Sequence, residues 1–186
     1  ISYRLVGSEM CIRDRVKAMD GKPIKDYSMD SLGIKMSTLS IIRKAMYNVV
    51  NNKFGTAYKS RIIDQTKTLA GKTGTSQIRE ISENERKTGI RKNEDLPMAF
   101  RDHALFTGYA PFVQPKYAIS VVVEHGGGGS EVAAPIARDV MLFALSGSLP
   151  LLEAYPINQR SDILIRLEKI RNQISSSSKD RELGQY

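Results

Sequence analysis

Hydrophobic and polar positions alternate along this chain with more than one period, and each period predicts a different element. From Ser37 or Thr38 to about Asn51, the residues Leu39, Ile42, Ala45, Met46 and Val49 recur at helical spacing. A helix is expected there, its first turn capped by the hydroxyls and its end marked by Asn51 and Asn52. Residues 65–76 read as a strand in which Gly71 and Gly74 mark close approaches to the backbone. Residues 103–110 and 116–124 read as two more strands, joined by Ala110-Pro111-Phe112-Val113-Gln114-Pro115 into an antiparallel pair. In the second of these, Tyr117, Ile119, Val121 and Val123 alternate with Ala118, Ser120, Val122 and Glu124. Both faces are largely apolar, which predicts a central strand covered on both sides. A second helix is expected from near Pro135 to near Gly147, with Ile136, Ala137, Val140, Met141 and Ala144 along its apolar face.

Between the first two strands, residues 77–101 are polar and carry charges of both signs, a long excursion of the kind that is functional or disordered. After Pro156 a weaker amphipathic segment holds Ile163, Leu167, Ile170 and Ile174, and residues 175–186 are expected to be a disordered tail. The order helix, strand, excursion, strand, strand, helix is an α+β pattern, with an antiparallel sheet covered by helices. Residues 1–15 fit none of these periods. Residues 6–15 resemble translated sequencing-adapter sequence, so 1–15 is expected to be non-native and is left out of the fold reasoning.

Composition narrows the field only a little. The 186 residues suit one domain with a real core. No apolar run approaches the roughly 18 residues needed to span a bilayer. The net charge of +8 is scattered, without a block of like charges or basic residues interleaved with aromatics, so nucleic acid is not an expected partner. A mildly basic surface suits an anionic substrate or anionic lipid headgroups, and equally a plain solvated surface. A single cysteine, Cys11, and two distant histidines, His103 and His125, build neither a disulfide framework nor a zinc cluster. No metal and no cofactor is expected.

The stretch that carries chemistry is Ala70-Gly71-Lys72-Thr73-Gly74-Thr75-Ser76. A phosphate-binding loop also ends in Gly-Lys-Thr, but it needs a further glycine where this chain has Thr66. The other reading is Lys-Thr-Gly, the third motif of the penicillin-recognising serine enzymes. On a strand at the edge of a cleft, the Lys72 ammonium would hold a substrate carboxylate or tune proton transfer at a serine. Thr73 and Thr75 would face one side, Gly74 would leave the other free of a side chain, and the Thr75 N–H would serve as an oxyanion donor. A second Lys-Thr-Gly, Lys87-Thr88-Gly89, lies in the charged excursion and reads as chance. His103 and His125 sit at strand ends, where histidines are ordinarily surface or hydrogen-bonded residues, and nothing completes a dyad with Glu124.

The phrases AGKTGTSQ, RDHALFTGYAP, YAISVVVEHGGGGS and AAPIARD occur in that order, with MYNVVNNKFGTAYKSRI and NEDLP before and between them. Together, over residues 16–144, they resemble the penicillin-binding protein 2 family in its alphaproteobacterial form. The resemblance implies part of a transpeptidase domain of the penicillin-binding and serine β-lactamase type, with residues 16–156 as its C-terminal portion and 157–186 as the amphipathic segment and tail. It implies a D,D-transpeptidase that cross-links peptidoglycan through a serine acyl-enzyme, acting on stem peptides and acylated by β-lactams. In it Lys72 would be catalytic, and Thr73, Gly74 and Thr75 would bind substrate. It also implies a domain on the periplasmic face of the inner membrane, held by an anchor outside this sequence. Its partners would be a membrane glycosyltransferase and the rod-shape elongation complex.

Two motifs stand out of family order. Ser-x-x-Lys is spelled only at Ser176 to Lys179 and Ser-x-Asn at Ser82-Glu83-Asn84, both after Lys72. The first is expected to lie in a tail without a helix to orient it, and the second in the excursion, so both read as accidents. The nucleophile is therefore expected outside this chain, and the chain itself to be inactive. A D,D-carboxypeptidase or β-lactamase relative, or a non-catalytic binding module, remains the alternative.

Overall fold

A computed structural model of the chain describes residues 15–17, 23–26 and 33–183, and the side chains of residues 33–174 other than residue 84. Most of the stretch read as non-native, residues 1–14, lies outside them. The chain divides after Ala45 into two compact units. In the first, β1 (Arg15–Lys17) and β2 (Pro23–Asp26) pair antiparallel, with a bulge between Val16 and Lys17.

Helix α1 (Met36–Asn51) follows the predicted period, and at its end Val50 is fully buried. Asn51 closes it, as the sequence suggests, but by a specific route. Its side-chain amide donates to the Leu69 carbonyl at 2.8 Å as well as to Tyr47 at 3.0 Å, tying the helix to the chain that enters the next strand. That strand, β3 (Ala70–Ser76), starts five residues later than expected. The cause is Asp64, whose carboxylate accepts from the Thr66 N–H at 2.9 Å and the Thr66 hydroxyl at 2.6 Å. These bonds curl residues 65–67 into a 3-10 turn and, with the Thr66 hydroxyl bond first among the causes, lower the Asp64 pKa.

Beyond the excursion, β4 (His103–Ala110) and β5 (Tyr117–Val123) complete a three-stranded antiparallel sheet in the order β3-β4-β5. The central strand is β4, and Ala104, Phe106 and Ala110 carry its buried face. The expectation of a central, doubly covered β5 is overturned. This strand lies at an edge, Ile119, Val121 and Val123 pack on the core, and Val122 and Tyr117 are 58% and 48% exposed. Alternation reports which residues share a face. It does not report whether anything covers that face.

Helix α3 (Ala134–Ser146) follows a π-helical turn, residues 129–133, and ends at Gly147 in the left-handed conformation that favours glycine. Its orientation also departs from expectation. Ala134, Ala137, Arg138, Met141 and Leu142 are buried, whereas Ile136, Val140 and Phe143 are exposed. Small residues bring the helix close to the sheet, and Arg138 is buried because its charge is met on every side. Its guanidinium donates to Asp139 and to Gln159, each at 2.8 Å, and lies 4.7 Å from the Tyr155 ring centroid. Gln159 in turn donates to the Lys59 carbonyl at 2.7 Å, closing α3, the final segment and the turn after α1 into one network. Burial, with Asp139 second, raises the Tyr155 pKa.

Helix α4 (Arg160–Leu183) buries Ile163 and continues through the serine run, where a tail was expected. Serine is only a mildly poor helix former, and Lys179, Arg181, Glu182 and Leu183 behind it are good ones. No helix among the described residues is long and apolar enough to cross a membrane.

The excursion buries Leu96 and is otherwise tied together by charge. Its helix α2 (Glu83–Thr88) is capped by the Ser82 hydroxyl, which accepts from the Glu85 N–H at 3.2 Å. Glu85 accepts two bonds from the Arg79 guanidinium, at 2.7 and 2.6 Å, and one from the Arg91 N–H at 3.1 Å. Arg79 first, and then the Arg91 N–H, hold the Glu85 carboxyl at about 2, below its ordinary 4.5.

Gly129 packs backbone against backbone on the sheet. A Cβ there would stand 2.3 Å from both the Gly74 and the Leu105 carbonyl oxygens, and these are backbone atoms that cannot swing aside. At Gly74 an added Cβ would meet only the Leu105 side chain, its Cβ at 3.3 Å. Gly129→Ala is expected to lower the melting temperature by on the order of 5 °C, the scale of an overpacked core. Gly74→Ala should lower it less, and calorimetry on the two variants checks the order. For Glu85, a depressed carboxyl adds stability that is fully present above about pH 4.5 and is lost as pH falls through about 2. The Arg91 amide signal in an NMR titration should therefore move with a midpoint near pH 2. A midpoint near 4.5 would show that the Arg79 clamp does not form.

Candidate active site

Strand β3 holds the four residues singled out by the sequence, and it stands at the other edge of the sheet. Lys72 is opposite Thr107, Thr73 opposite Phe106, Gly74 opposite Leu105 and Thr75 opposite Ala104. Residues opposite one another share a face, so Thr73 and Thr75 lie on the side of the buried Phe106 and Ala104. Lys72 and Gly74 lie on the other side, with the exposed Thr107. The two threonines thus share a face, as expected, and Lys72 stands across the strand from them.

Two groups fix these residues locally. The Lys72 ammonium donates to the Thr73 carbonyl at 2.5 Å, and the Thr73 and Thr56 hydroxyls are 3.1 Å apart in a hydrogen bond. Thr56 was not among the candidates from sequence. It is held by a tight turn in which the chain doubles back on α1, with the Ala57 N–H donating to the Val49 carbonyl at 3.0 Å. Gly55 is needed there, since a Cβ would come within 2.4 Å of the Asn48 and Val49 carbonyl oxygens. The available signal was a hydroxyl residue directly after a glycine at a helix end. Gly71 is equally constrained, for a Cβ would meet the Phe106 ring at 2.2 Å.

Beside Thr56 a cleft of about 550 Å³ opens between that turn and the starts of α3 and α4. Lys59, Ser60, Ser130, Arg138 and Arg166 contribute to its walls, and the Ser60 hydroxyl is buried without a hydrogen-bond partner. Among the described residues, no group of three His, Cys, Asp and Glu side chains is placed to hold a metal ion.

The remaining candidates fall elsewhere. His103 and His125 are hydrogen-bonded to backbone, as histidines at strand ends ordinarily are. The His125 N–H donates to His103 Nδ1 at 2.9 Å, and His125 Nδ1 is 3.2 Å from the Arg101 carbonyl oxygen. Ser82 is occupied as the cap of α2. Ser176 and Lys179 lie within α4, so the expectation that no helix supports them is corrected.

The profile of the penicillin binding protein transpeptidase domain matches residues 10–142. The peptidoglycan D,D-transpeptidase MrdA of Haemophilus influenzae is 37% identical over 162 residues, covering 83% of this chain and 24% of that protein. MrdA of Salmonella typhimurium is 36% identical over 101 residues, 54% of this chain and 15% of that one. Among solved structures, penicillin-binding protein 2 (PBP2) of Pseudomonas aeruginosa in complex with WCK 5153 is 32% identical, covering 74% of this chain and 27% of that one, with a TM-score of 0.48. The complex of PBP2 and MreC from Helicobacter pylori is 33% identical, covering 70% and 21%, with a TM-score of 0.47. The chain therefore spans about a quarter of the length of the first of these relatives. With the profile matched across more than half of its residues and MrdA aligned across most of them, the chain belongs to the penicillin-binding protein transpeptidase family, in the group of MrdA.

Proposed function

We propose that β3 is the substrate-binding strand of a peptidoglycan D,D-transpeptidase whose nucleophilic serine is supplied from outside this sequence. The observation that carries the reading is the position of Lys72-Thr73-Gly74-Thr75 on an edge strand whose outer side is free of a further strand among the described residues. In an antiparallel strand the N–H and C=O of one residue point to the same side, and the direction alternates with period two. The Thr73 carbonyl is turned to the Lys72 ammonium, so the Thr75 N–H, two residues on, follows it to the open edge. It is there available to the oxygen of a stem-peptide carbonyl as negative charge develops on it. Lys72 would release its local carbonyl to meet a substrate carboxylate or to tune the proton of the serine, and the Thr73 and Thr75 hydroxyls would position the peptide. A β-lactam would occupy the same edge and acylate the same serine.

The use of Ser82 as a helix cap supports reading Ser82-Glu83-Asn84 as an accident of spelling. For Ser176 to Lys179 the support is motif order, since in the family Ser-x-x-Lys precedes the lysine strand. Residues 16–156 would then be the C-terminal part of the transpeptidase domain, and the whole protein would be anchored in the inner membrane with this domain in the periplasm. Its partners would be the rod-shape elongation machinery and a membrane glycosyltransferase, as the family resemblance implies.

Fluorescent penicillin added to the folded chain is expected to leave no covalent adduct on a denaturing gel or by intact mass. An adduct mapped to Ser82 or Ser176 would overturn the assignment of the nucleophile. In a chimera that grafts residues 16–156 into H. influenzae MrdA, acylation should return. Lys72→Ala should then slow it by on the order of a hundredfold, the scale for losing a group used in the transition state. Acylation at an unchanged rate would remove Lys72 from the mechanism.

A further inference from the structure

The glycine run after β5 meets the candidate strand at its backbone, and what holds that run in place is polar. His125 adopts φ 56°, a left-handed conformation that is uncommon for a residue with a side chain. Its N–H is received by His103 Nδ1 at 2.9 Å. Gly127, also at positive φ, donates its N–H to the Asp102 carbonyl at 2.8 Å. Asp102 is itself clamped to Asn93, donating its N–H to Oδ1 at 2.8 Å and accepting from Nδ2 at 3.2 Å. Two residues after Gly127, Gly129 arrives against the Gly74 and Leu105 carbonyl oxygens. His103 is also the partner of Ser76 across the sheet, the residue after Thr75.

We propose that His103 is a positioning residue for the Lys72–Thr75 strand: its Nδ1, kept as a hydrogen-bond acceptor, holds His125 in the left-handed turn that delivers Gly127–Gly129 onto the backbone of Gly74. An acceptor Nδ1 places the ring proton on Nε2. Protonating the ring puts a donor where the turn needs an acceptor, so the same contact opens when His103 becomes cationic. His125 responds differently, because an Nδ1–H facing the Arg101 carbonyl survives protonation of the other nitrogen. Other charged groups face the pair from each neighbouring element. Glu124 adjoins His125 at the end of β5, and Glu131 comes from the turn before α3. Lys92, Glu94, Arg101 and Asp102 come from the excursion, with Arg79 beyond Asp102. Ser76, opposite on β3, is neutral. That the positioned strand contacts substrate rests on the function proposed above. The latch stands on the hydrogen bonds alone.

The experiment is NMR on the whole chain, reading the His103 ring nitrogens and the exchange of individual amides. At pH 8 the Nδ1 of His103 should carry the shift of an unprotonated nitrogen. In His103→Leu, exchange at the His125 and Gly127 amides should rise about three- to tenfold, the equivalent of one net hydrogen bond, and the Gly74 and Thr75 signals should move. His103→Asn puts Oδ1 where Nδ1 stood and should restore both. A proton found on Nδ1, unchanged exchange in His103→Leu, or an asparagine variant that behaves like leucine would each overturn the proposal. Should the leucine variant fail to fold, the ring shift of the natural chain and the amide exchange of the asparagine variant decide it. Since none of these readings involves acylation, their failure is separate from failure of the penicillin test.

Discussion

The hydrogen-bonded ladder of a sheet leaves little room above it, and this chain places a piece of backbone in the small space that exists. Gly74 and Leu105 are paired across β3 and β4 with their side-chain directions on the outer face. The inner face above that pair therefore has no Cβ atoms, and a glycine can settle there. Gly129 does so, at distances that no other residue could match. Because the contact is between main chains, it fixes β3, β4 and the entry to α3 relative to one another without reliance on side-chain rotamers. Everything C-terminal to it inherits that geometry. The helix begins within a turn of Gly129, and Ala133, Ala134 and Ala137 bring it down onto the sheet with almost no side chain between them.

The consequence for α3 is a choice of face that hydrophobicity by itself would not make. A helix seated this close has room inward for alanines and for Met141 and Leu142, and it turns Ile136, Val140 and Phe143 outward. It also carries Arg138 inward. A buried guanidinium is costly unless its donors are satisfied, and here Asp139, Gln159 and the Tyr155 ring share the task. Removing any one partner leaves the charge short of bonds, so the final segment of the core, residues 152–163, is held by a polar requirement as much as by the burial of Ala154, Tyr155 and Ile163.

These two facts explain what was legible in the sequence. The strand of Lys72 to Thr75, the two strands after it and helices α1 and α3 were legible, because their periods are local and their end signals, such as Gly147, act within a turn. The late start of β3 escaped because Asp64 and Thr66 outcompete an extended chain through side-chain bonds that periodicity does not register. The face of α3 escaped because the deciding contact joins Gly129 to Gly74, and a tetraglycine run carries no pattern. Thr56 escaped because its partner is seventeen residues away. The Gln159 to Lys59 bond, across one hundred residues, has no local trace at all. His103 and His125 were legible as hydrogen-bonded residues, while the direction of the bond between them, which gives it its use, was not.

An edge strand has a mechanical difficulty. One side of its ladder is open, so it has half the interstrand bonds of a central strand to keep it straight. The missing rigidity has to come from its faces. In β3 it comes from Gly129 lying on the backbone at Gly74, from Phe106 filling the space left by Gly71, and from Thr56 holding the Thr73 hydroxyl. The Lys72 ammonium engages the Thr73 carbonyl at the open side, giving a bare edge a charged occupant that discourages pairing with another strand. Such an occupant is easily exchanged, since Lys72 is exposed and a carboxylate is a better partner for an ammonium than a carbonyl is. Gly71 makes room for the ring that supports the strand from within. At Gly74 an outward Cβ would meet only the Leu105 side chain, and it is the backbone there, bare on its inner face, that receives Gly129.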